Sequence, residues 1–599
     1  MFSLSLKPTR RTNYFGFILI FSTLLGSLFA TPMIARAQQD DFFFKVQILC
    51  INDPNTISVA NLLSQELRKL RIDSQIVSPP EAEFAAHVTS RAFDIVFIEF
   101  NWPKLDPDPT IVFSENGSRN YWGIRKEMMG GELNEQLITL GKETIPFNER
   151  QEVYFEWQDH FLENLLPAIP LYNTVDAYAS WETLSGWDHD RGIIASLPYM
   201  EWSAPHPGQT NQSQFIDYSE EWVTLNPLFV SDQFVPSLFA EPLLRTDVNL
   251  NTYPVLAKSW SFSENNTVLR FTLRENVTWA PDPDELYIGE SFGVDDVIFS
   301  VLLWQKISTI GSFYNWIESI DKINNTVMDI YIDSNPSKPG RQPYAPALAS
   351  FSRLILPEHY LNKSVDEEGL PDTNHENWQI YGNLGLGTGM YNWEESSEVD
   401  CVFTRNPDWW GITQEPFKED LDMLSYQIRF ITDQETKRVE FEGGNIDILR
   451  DWRDPYTQFL TSPYNYKERS SPKMAFLGFN LQSVECPELG DERLCEDGTM
   501  TKGLAVRKAI AHLTDKDVIT DFVAGKQEKT DTPFSNVFSP YINQNAPEYD
   551  YDIEEAKGFM LKAGFDPATM TTDGFYPTLF FGSLLVVAVL VLKIPPKKH

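Results

Sequence analysis

Residues 223–279 read V-T-L-N-P-L-F-V-S-D-Q-F (Val223–Phe234), then F-A-E-P-L-L-R-T-D (Phe239–Asp247), then Y-P-V-L-A-K-S-W-S-F-S-E-N-N-T-V-L-R-F-T-L-R-E-N-V-T-W (Tyr253–Trp279). Leu225-Asn226-Pro227 marks a turn. Phe239 to Leu244 carries apolar residues at helix-like spacing, and Pro254 breaks the chain before Leu256. Val268 to Leu273 alternates apolar with polar residues, which predicts a half-buried strand. Taken alone, these words describe a compact α/β module.

Working outward, the pattern upstream is strand, helix, strand, helix, strand. Phe43 to Ile51 is an apolar strand. Asn55 to Leu70 puts Val59, Leu62, Leu63, Leu67 and Leu70 on one helical face. Ile72 to Val77 is a second strand, Glu81 to Ser90 a helix, and Asp94 to Phe100 a third strand. Alternation of this kind predicts right-handed βαβ units and a parallel sheet. Ligands of open α/β sheets bind outside the carboxyl ends of the strands, so the loop from Glu99 to Asp108 is a candidate binding loop. A helix over Glu149 to Asn164 and a strand-like Ala168 to Tyr172 follow. Trp181 to Gly208 matches no motif and reads as a linker.

The order of the words from Val223 onward resembles the opening of the mature family 5 solute-binding proteins. Members of that family deliver oligopeptides, dipeptides or oligosaccharides to ABC importers. Further matches run in family order: Gly289 to Val297, the turn Gly385 to Tyr391 with Met390 replacing the usual proline, Arg405 to Trp410, Glu442 to Asp447, Leu477 to Asn480, Val506 to Ile510, and Ala556 to Phe565. The family's C-terminal sheet should follow Phe565. Its words appear instead at Phe43 to Tyr172. The resemblance therefore implies a circular permutation, with the break after Phe565 and the new start near Phe44. Termini of compact domains lie at the surface and often close together, which makes permutation physically tolerable.

Composition bounds the alternatives. An apolar content of 42% with 13% aromatics excludes a mainly disordered chain. Residues 1–37 read as a signal peptide: Lys7, Arg10 and Arg11, then an apolar stretch from Tyr14 to Ala30, then Ala35-Arg36-Ala37. Residues 575–594 form an apolar stretch with Lys593 at its edge, long enough to cross a hydrocarbon core of about 30 Å. The tail 595–599 carries two lysines, which mark the cytoplasmic side of a single-pass anchor. The main chain is thereby expected on the extracellular face of the cell membrane. The net charge of −37 disfavours a nucleic-acid partner, since an acidic surface repels phosphate backbones. Six N-x-[ST] sequons, at Asn116, Asn211, Asn265, Asn276, Asn324 and Asn362, fit an exterior location. Cys486 and Cys495 bracket a polar loop and are candidates for a local disulfide, whereas Cys50 and Cys401 lie in apolar runs.

Catalytic and metal signals are sparse. Gly289-Glu-Ser-Phe-Gly293 fits the G-x-S-x-G pattern of hydrolases, but the helix starts only near Val294 and loop precedes it. Asp106/Asp108 and Asp282/Asp284 lack the spacing of an EF-hand and read as turn residues. No catalytic residue, metal site or cofactor is expected. The candidate ligand contacts are Glu99, Asn101, Trp102 and Asp106 in the strand-end loop. The resemblance adds Asp232 and Phe234 after the L-N-P turn, and Tyr314 and Trp316 form a further aromatic cluster. Peptide-binding members commonly place an aspartate just after the tryptophan loop, where it pairs with the peptide's α-amino group. Here Pro103 or Leu105 falls at that position, which leaves an oligosaccharide or a blocked peptide open.

The resemblance implies an α/β, two-lobed periplasmic-binding-protein fold of type II with an extra subdomain, circularly permuted, plus a C-terminal transmembrane helix. One lobe is expected to run over 175–475, the other to combine 43–174 with 476–566. The implied function is capture of a peptide or oligosaccharide between the lobes and delivery to ABC permease subunits. A tethered extracellular hydrolase and a ligand sensor without a permease are the alternatives.

Overall fold

Three short strands form the parallel part of the large sheet: Ile95–Asn101 begins with a fully buried apolar run, whereas Phe44–Leu49 and Ile72–Val77 mix buried and partly exposed positions. Phe44–Leu49 (β1), Ile72–Val77 (β2) and Ile95–Asn101 (β3) lie side by side, with β1 between the others and parallel to both. Each is connected to the next by a helix. The helix Pro54–Lys69 starts where the Asp53 carboxylate accepts the backbone N–H groups of Asn55 and Thr56, and it buries Val59, Ala60, Leu63 and Leu67. Val59, Leu63 and Leu67 each contribute roughly 1.5–3 kcal/mol when fully buried.

These coordinates are a computed structural model, and the structure describes residues 42–567 apart from 103–104, 231, 283–284, 418–420, 451–455 and 524. The leader 1–37, the apolar segment 575–594 and the tail 595–599 lie outside the described residues, as does Asp284. Among the described residues, no helix is long and apolar enough to cross a membrane.

Two long antiparallel strands complete the large sheet and set the architecture. Ala168–Trp181 (β4) pairs with Tyr464–Phe479 (β6), and β6 also pairs with β3. The short strands Ile448–Arg450 (β5) and Gln527–Lys529 (β7) add to β4. The resulting order is β5-β4-β6-β3-β1-β2, with β7 also on β4. One apolar core gathers residues between Val46 and Tyr172 with residues between Met474 and Ala563. A second gathers residues between Leu184 and Ile448, and a small third core packs Ala179 and Trp181 against Phe441 and Phe459. The molecule is thus two-lobed, with β4 and β6 passing from one lobe into the other. The second lobe holds two four-stranded sheets, including the hairpin of Ala257–Ser263 and Val268–Leu273.

Most local expectations agree with the structure. The helix expected over Glu81–Ser90 occupies those residues. The strand expected at Val268–Leu273 buries Leu269, Phe271 and Leu273 and exposes Arg270. The Asn226 carboxamide accepts the N–H of Leu228, closing the expected turn. Phe239 to Leu244 is not helical. A single 3₁₀ turn at Pro236–Leu238 ends before it, Pro242 bridges Leu354, and a strand begins at Leu244. Pro242 lacks the N–H a continuing helix would need. The strand expected at Ala168–Tyr172 runs on to Trp181, because nearly all of its residues are buried on both faces and give no period-two signal.

Candidate functional site

The register of β4 against β6 slips where the strands leave the first lobe. Ser470 faces Val175 but Met474 faces Asn173, so β6 carries two extra residues around Pro472. Proline cannot donate to the ladder, and such a bulge bends and re-aims the strand. The bulge is held from outside the ladder: Trp102 donates its backbone N–H to the Pro472 carbonyl at 3.1 Å, and the Ser535 hydroxyl donates to the Ser471 carbonyl at 2.8 Å. Beside it opens a cavity of about 590 Å³, within the range of small-molecule sites. Its walls come from 174–176 and Tyr178 of β4, Arg469 and 471–473 of β6, 525–527, and Trp187, His189 and 191–195 of the second lobe, with Phe234, Arg245 and Arg450.

The segment after Trp181 supplies much of the second-lobe wall. Asp188 turns the chain by accepting the N–H of Asp190, and Ser196 bonds back to Asp188. Gly192 has φ near +80°, a conformation that strains any side-chain-bearing residue, and it turns the chain from Arg191 into Ile193. Trp187 stacks on His189 at 4.1 Å between ring centres. Burial, then Lys467 and Arg469, push His189 down to about 4, so its ring is neutral at neutral pH.

Among the described wall residues, six are Arg or Lys and one, Asp176, is acidic. In a chain with 48 basic and 85 acidic residues that ratio is inverted. Several of these cations are locally matched. Lys473 sits 2.7 Å from Glu99, Lys526 pairs with Glu468, and Arg450 reaches Asp217 at 3.1 Å and the Tyr218 carbonyl at 2.6 Å. Arg469 donates to the His189 carbonyl at 2.6 Å and lies 3.5 Å from Asp176. Arg245 makes no salt bridge among the described residues, and burial pushes its guanidinium below the ordinary range.

A second cavity of about 450 Å³ shares Arg191, Ile194, Ala195 and Arg245 with the first. Trp409, Trp410, Phe417 and Tyr253 make it aromatic. Its buried acid, Glu241, is raised by burial and accepts hydrogen bonds from Trp409 (3.1 Å), Trp410 (2.8 Å) and Thr388 (3.0 Å).

Of the residues expected to contact a ligand, Asn101 and Phe234 meet on the first cavity, where the Arg450 guanidinium stacks 4.1 Å above the Phe234 ring. Glu99 stands behind Lys473 and accepts a hydrogen bond from Tyr172 at 2.7 Å. Asp232 is exposed and caps its own turn by accepting the Phe234 N–H. Trp102 is not a surface contact: it is 4% exposed, packed edge-on against Phe534 and Phe538, with its indole N–H on Met474 Sδ. Asp106 is not available either, since both oxygens bind the buried Arg150, at 2.6 and 3.0 Å. Trp316 is a core residue, and Tyr314 is buried but lines a separate cavity with Leu105, Phe313 and Arg353 rather than the first one. Tyr314 donates to the Ser350 carbonyl, and Trp316 stacks on Tyr344 at 5.0 Å. Cys486 and Cys495 are free and buried, so the bridge considered for them is absent. Each thiol packs into the first core instead. Ser291 bridges Thr278 ahead of the helix Val294–Lys306, and among the described residues no strand leads straight into it.

The residues missed from sequence are those of 187–195, Arg245 and Arg469. The only signal was negative: the segment after Trp181 matched no structural word.

Residues 251–585 match the family model described as bacterial extracellular solute-binding proteins, family 5 middle. The chain is 26% identical over 364 residues to the nickel-binding periplasmic protein of Escherichia coli (strain K12), covering 57% of this chain and 59% of that protein. It thus spans less than two thirds of the length of that curated relative. Among solved structures, HbpA2 from Haemophilus parasuis is 18% identical with a TM-score of 0.41, over 59% of this chain and 67% of that one. NikZ from Campylobacter jejuni in complex with Ni(L-His) is 19% identical with a TM-score of 0.37, over 59% of this chain and 64% of that one.

Proposed function

This chain belongs to the bacterial extracellular solute-binding proteins of family 5, and from that membership we propose that it captures a small solute between its two lobes and hands it to an ABC import permease. The observation that carries this reading is the 590 Å³ cavity flanked by residues of both lobes beside the strands that join them. Strands that pass between lobes are natural hinges, and closure around a ligand would create the composite surface a permease reads. The solute is a peptide, an oligosaccharide or another small polar molecule.

The chain is read as tethered outside the cell, secreted through the leader 1–37 and anchored by 575–594. The net charge of −37 and the exposure of all six sequon asparagines support an exterior location. It is also read as a circular permutant of its family. The contact between Phe44 and Phe565, with ring centres 5.2 Å apart, supports a junction at that point.

Mass spectrometry of small molecules released on denaturing the full chain, isolated from cells, tests the capture reading. The expected result is one molecule per chain that restores thermal stabilisation when added back. Release of nothing, with no stabilisation by peptides, oligosaccharides or organic anions, would overturn it.

A further inference from the structure

We infer that the solute carried in this cavity is a multiply charged anion whose carboxylate or phosphate oxygens are gripped by Arg245 and Arg469. The inference rests on the capture reading and names the class of solute.

Three independent features of the wall support it. The first is the inversion of charge, six cations to one acid, on a strongly acidic chain. Low-dielectric walls of one sign concentrate counter-ions of the other.

The second is a set of donors with nothing to donate to. Arg245 Nη2, Arg469 Nε and Trp187 Nε1 are all shut off from water and have no hydrogen-bond partner among the described residues. None of these atoms can act as an acceptor, and all three belong to residues lining the one cavity. A buried donor without an acceptor is costly, and native proteins keep few of them. An arginine fork is shaped for two anionic oxygens, and small rotations of these long side chains bring their N–H groups to a ligand. His189 Nε2 and Thr174 Oγ1, also without partners, can add donors on the same wall.

The third is the lack of a carboxylate to receive a cation. Asp176 is the one acid among the described wall residues, and it is committed to Arg469. Glu99 and Asp217 stand behind Lys473 and Arg450. In the adjoining cavity Glu241 is saturated by two indoles and a hydroxyl. A free α-amino group would therefore meet arginine rather than carboxylate.

The test is calorimetric titration of the full chain in mild detergent with citrate, inorganic pyrophosphate, trialanine and maltotriose. The expected result is one citrate or pyrophosphate bound per chain, weakened by added salt, and no binding of trialanine or maltotriose. Citrate and pyrophosphate distinguish a carboxylate ligand from a phosphate ligand. Arg245→Met and Arg469→Gln should each weaken anion binding about tenfold or more, while the surface control Lys322→Gln leaves it unchanged. Arg245→Lys keeps the charge but loses the fork, and an intermediate loss is expected. Circular dichroism establishes first that each variant is folded. Salt-insensitive binding of citrate to the wild-type chain overturns the inference without recourse to any variant. Binding of maltotriose or trialanine alone, unaffected by Arg469→Gln, overturns the anion but leaves the capture reading intact. Failure of all four probes overturns the anion assignment, and the released-molecule measurement then decides separately whether capture survives.

Discussion

The ring of Phe44, in the first strand, lies 5.2 Å from the ring of Phe565, at the far end of the described chain, and the ring of Phe43 lies 5.3 Å from that of Phe565. The two ends of the folded unit therefore meet in one lobe. If the chain is a circular permutant as proposed, opening the exposed loop between Asn211 and Gln212 and joining Phe565 to Phe43 through a short glycine–serine linker would restore the order of segments that the proposal assigns to the family. This relinked chain should fold cooperatively, with a melting midpoint within a few degrees of the parent. Phe565→Ala should cost about 1–2 kcal/mol, since the ring is only partly buried. A relinked chain that fails to fold would argue against the permutation.

Asp106 holds the buried guanidinium of Arg150, which also donates to the Tyr154 hydroxyl and the Gly141 carbonyl. Asp106→Asn removes the charge partner and leaves a buried cation, at a cost of about 3–5 kcal/mol. Denaturant unfolding should show that loss, while solute affinity stays within about twofold of wild type. A large affinity change without loss of stability would restore Asp106 to the ligand site.

Contacts away from the cavity tie the lobes together. Glu143 of the first lobe binds Lys338 at 2.5 Å and Asn335 at 3.1 Å, and Tyr344 donates to Asp108 at 3.2 Å. The Lys338 side chain is about half exposed while that of Glu143 is shielded, and an ion pair open to solvent at one end contributes on the order of 1 kcal/mol. Lys338→Ala should therefore weaken solute binding about two- to fivefold, raise the radius of gyration in solution scattering, and leave the melting midpoint nearly unchanged. An unchanged affinity would remove this pair from the closing mechanism.

His189 supplies a pH dependence whose sign follows from its surroundings. Its ring is depressed to about 4 by burial, then by Lys467 and Arg469, against the opposing pull of Asp188 and Asp190. Between that value and the ordinary 6.5 the unfolded chain binds the proton and the folded chain does not. Stability is therefore lost as pH falls through this window. Allowing for the ring's partial exposure, the contribution is about 1–2 kcal/mol. The drop in urea midpoint from pH 7.5 to 4.5 should be smaller in His189→Gln than in wild type. Equal drops would contradict the assignment.

How much was legible in the sequence follows from what carries each feature. Local pattern placed the βαβ run, because Val59, Leu62, Leu63, Leu67 and Leu70 recur at helical spacing over Asn55 to Leu70. The site was harder. Trp102 looked like a binding-loop tryptophan, yet Phe534 and Phe538, more than four hundred residues away in sequence, draw it into the core. The wall of the cavity depends on a bulge at Pro472 and on a segment without periodicity, Trp187 to Ala195. Neither carries a local signature of binding. Arg245 sat inside the opening stretch, but only the fold brings it beside Arg469.

The most direct measurement is a crystal structure of the chain as isolated from its cells, with no ligand added. Density is expected for one small, acceptor-rich molecule between Thr174–Tyr178, Trp187–Ala195 and Arg469–Lys473, within hydrogen-bond reach of Arg245 and Arg469. A molecule bound elsewhere, or a cavity holding only water in a chain that closes around no solute, would contradict it.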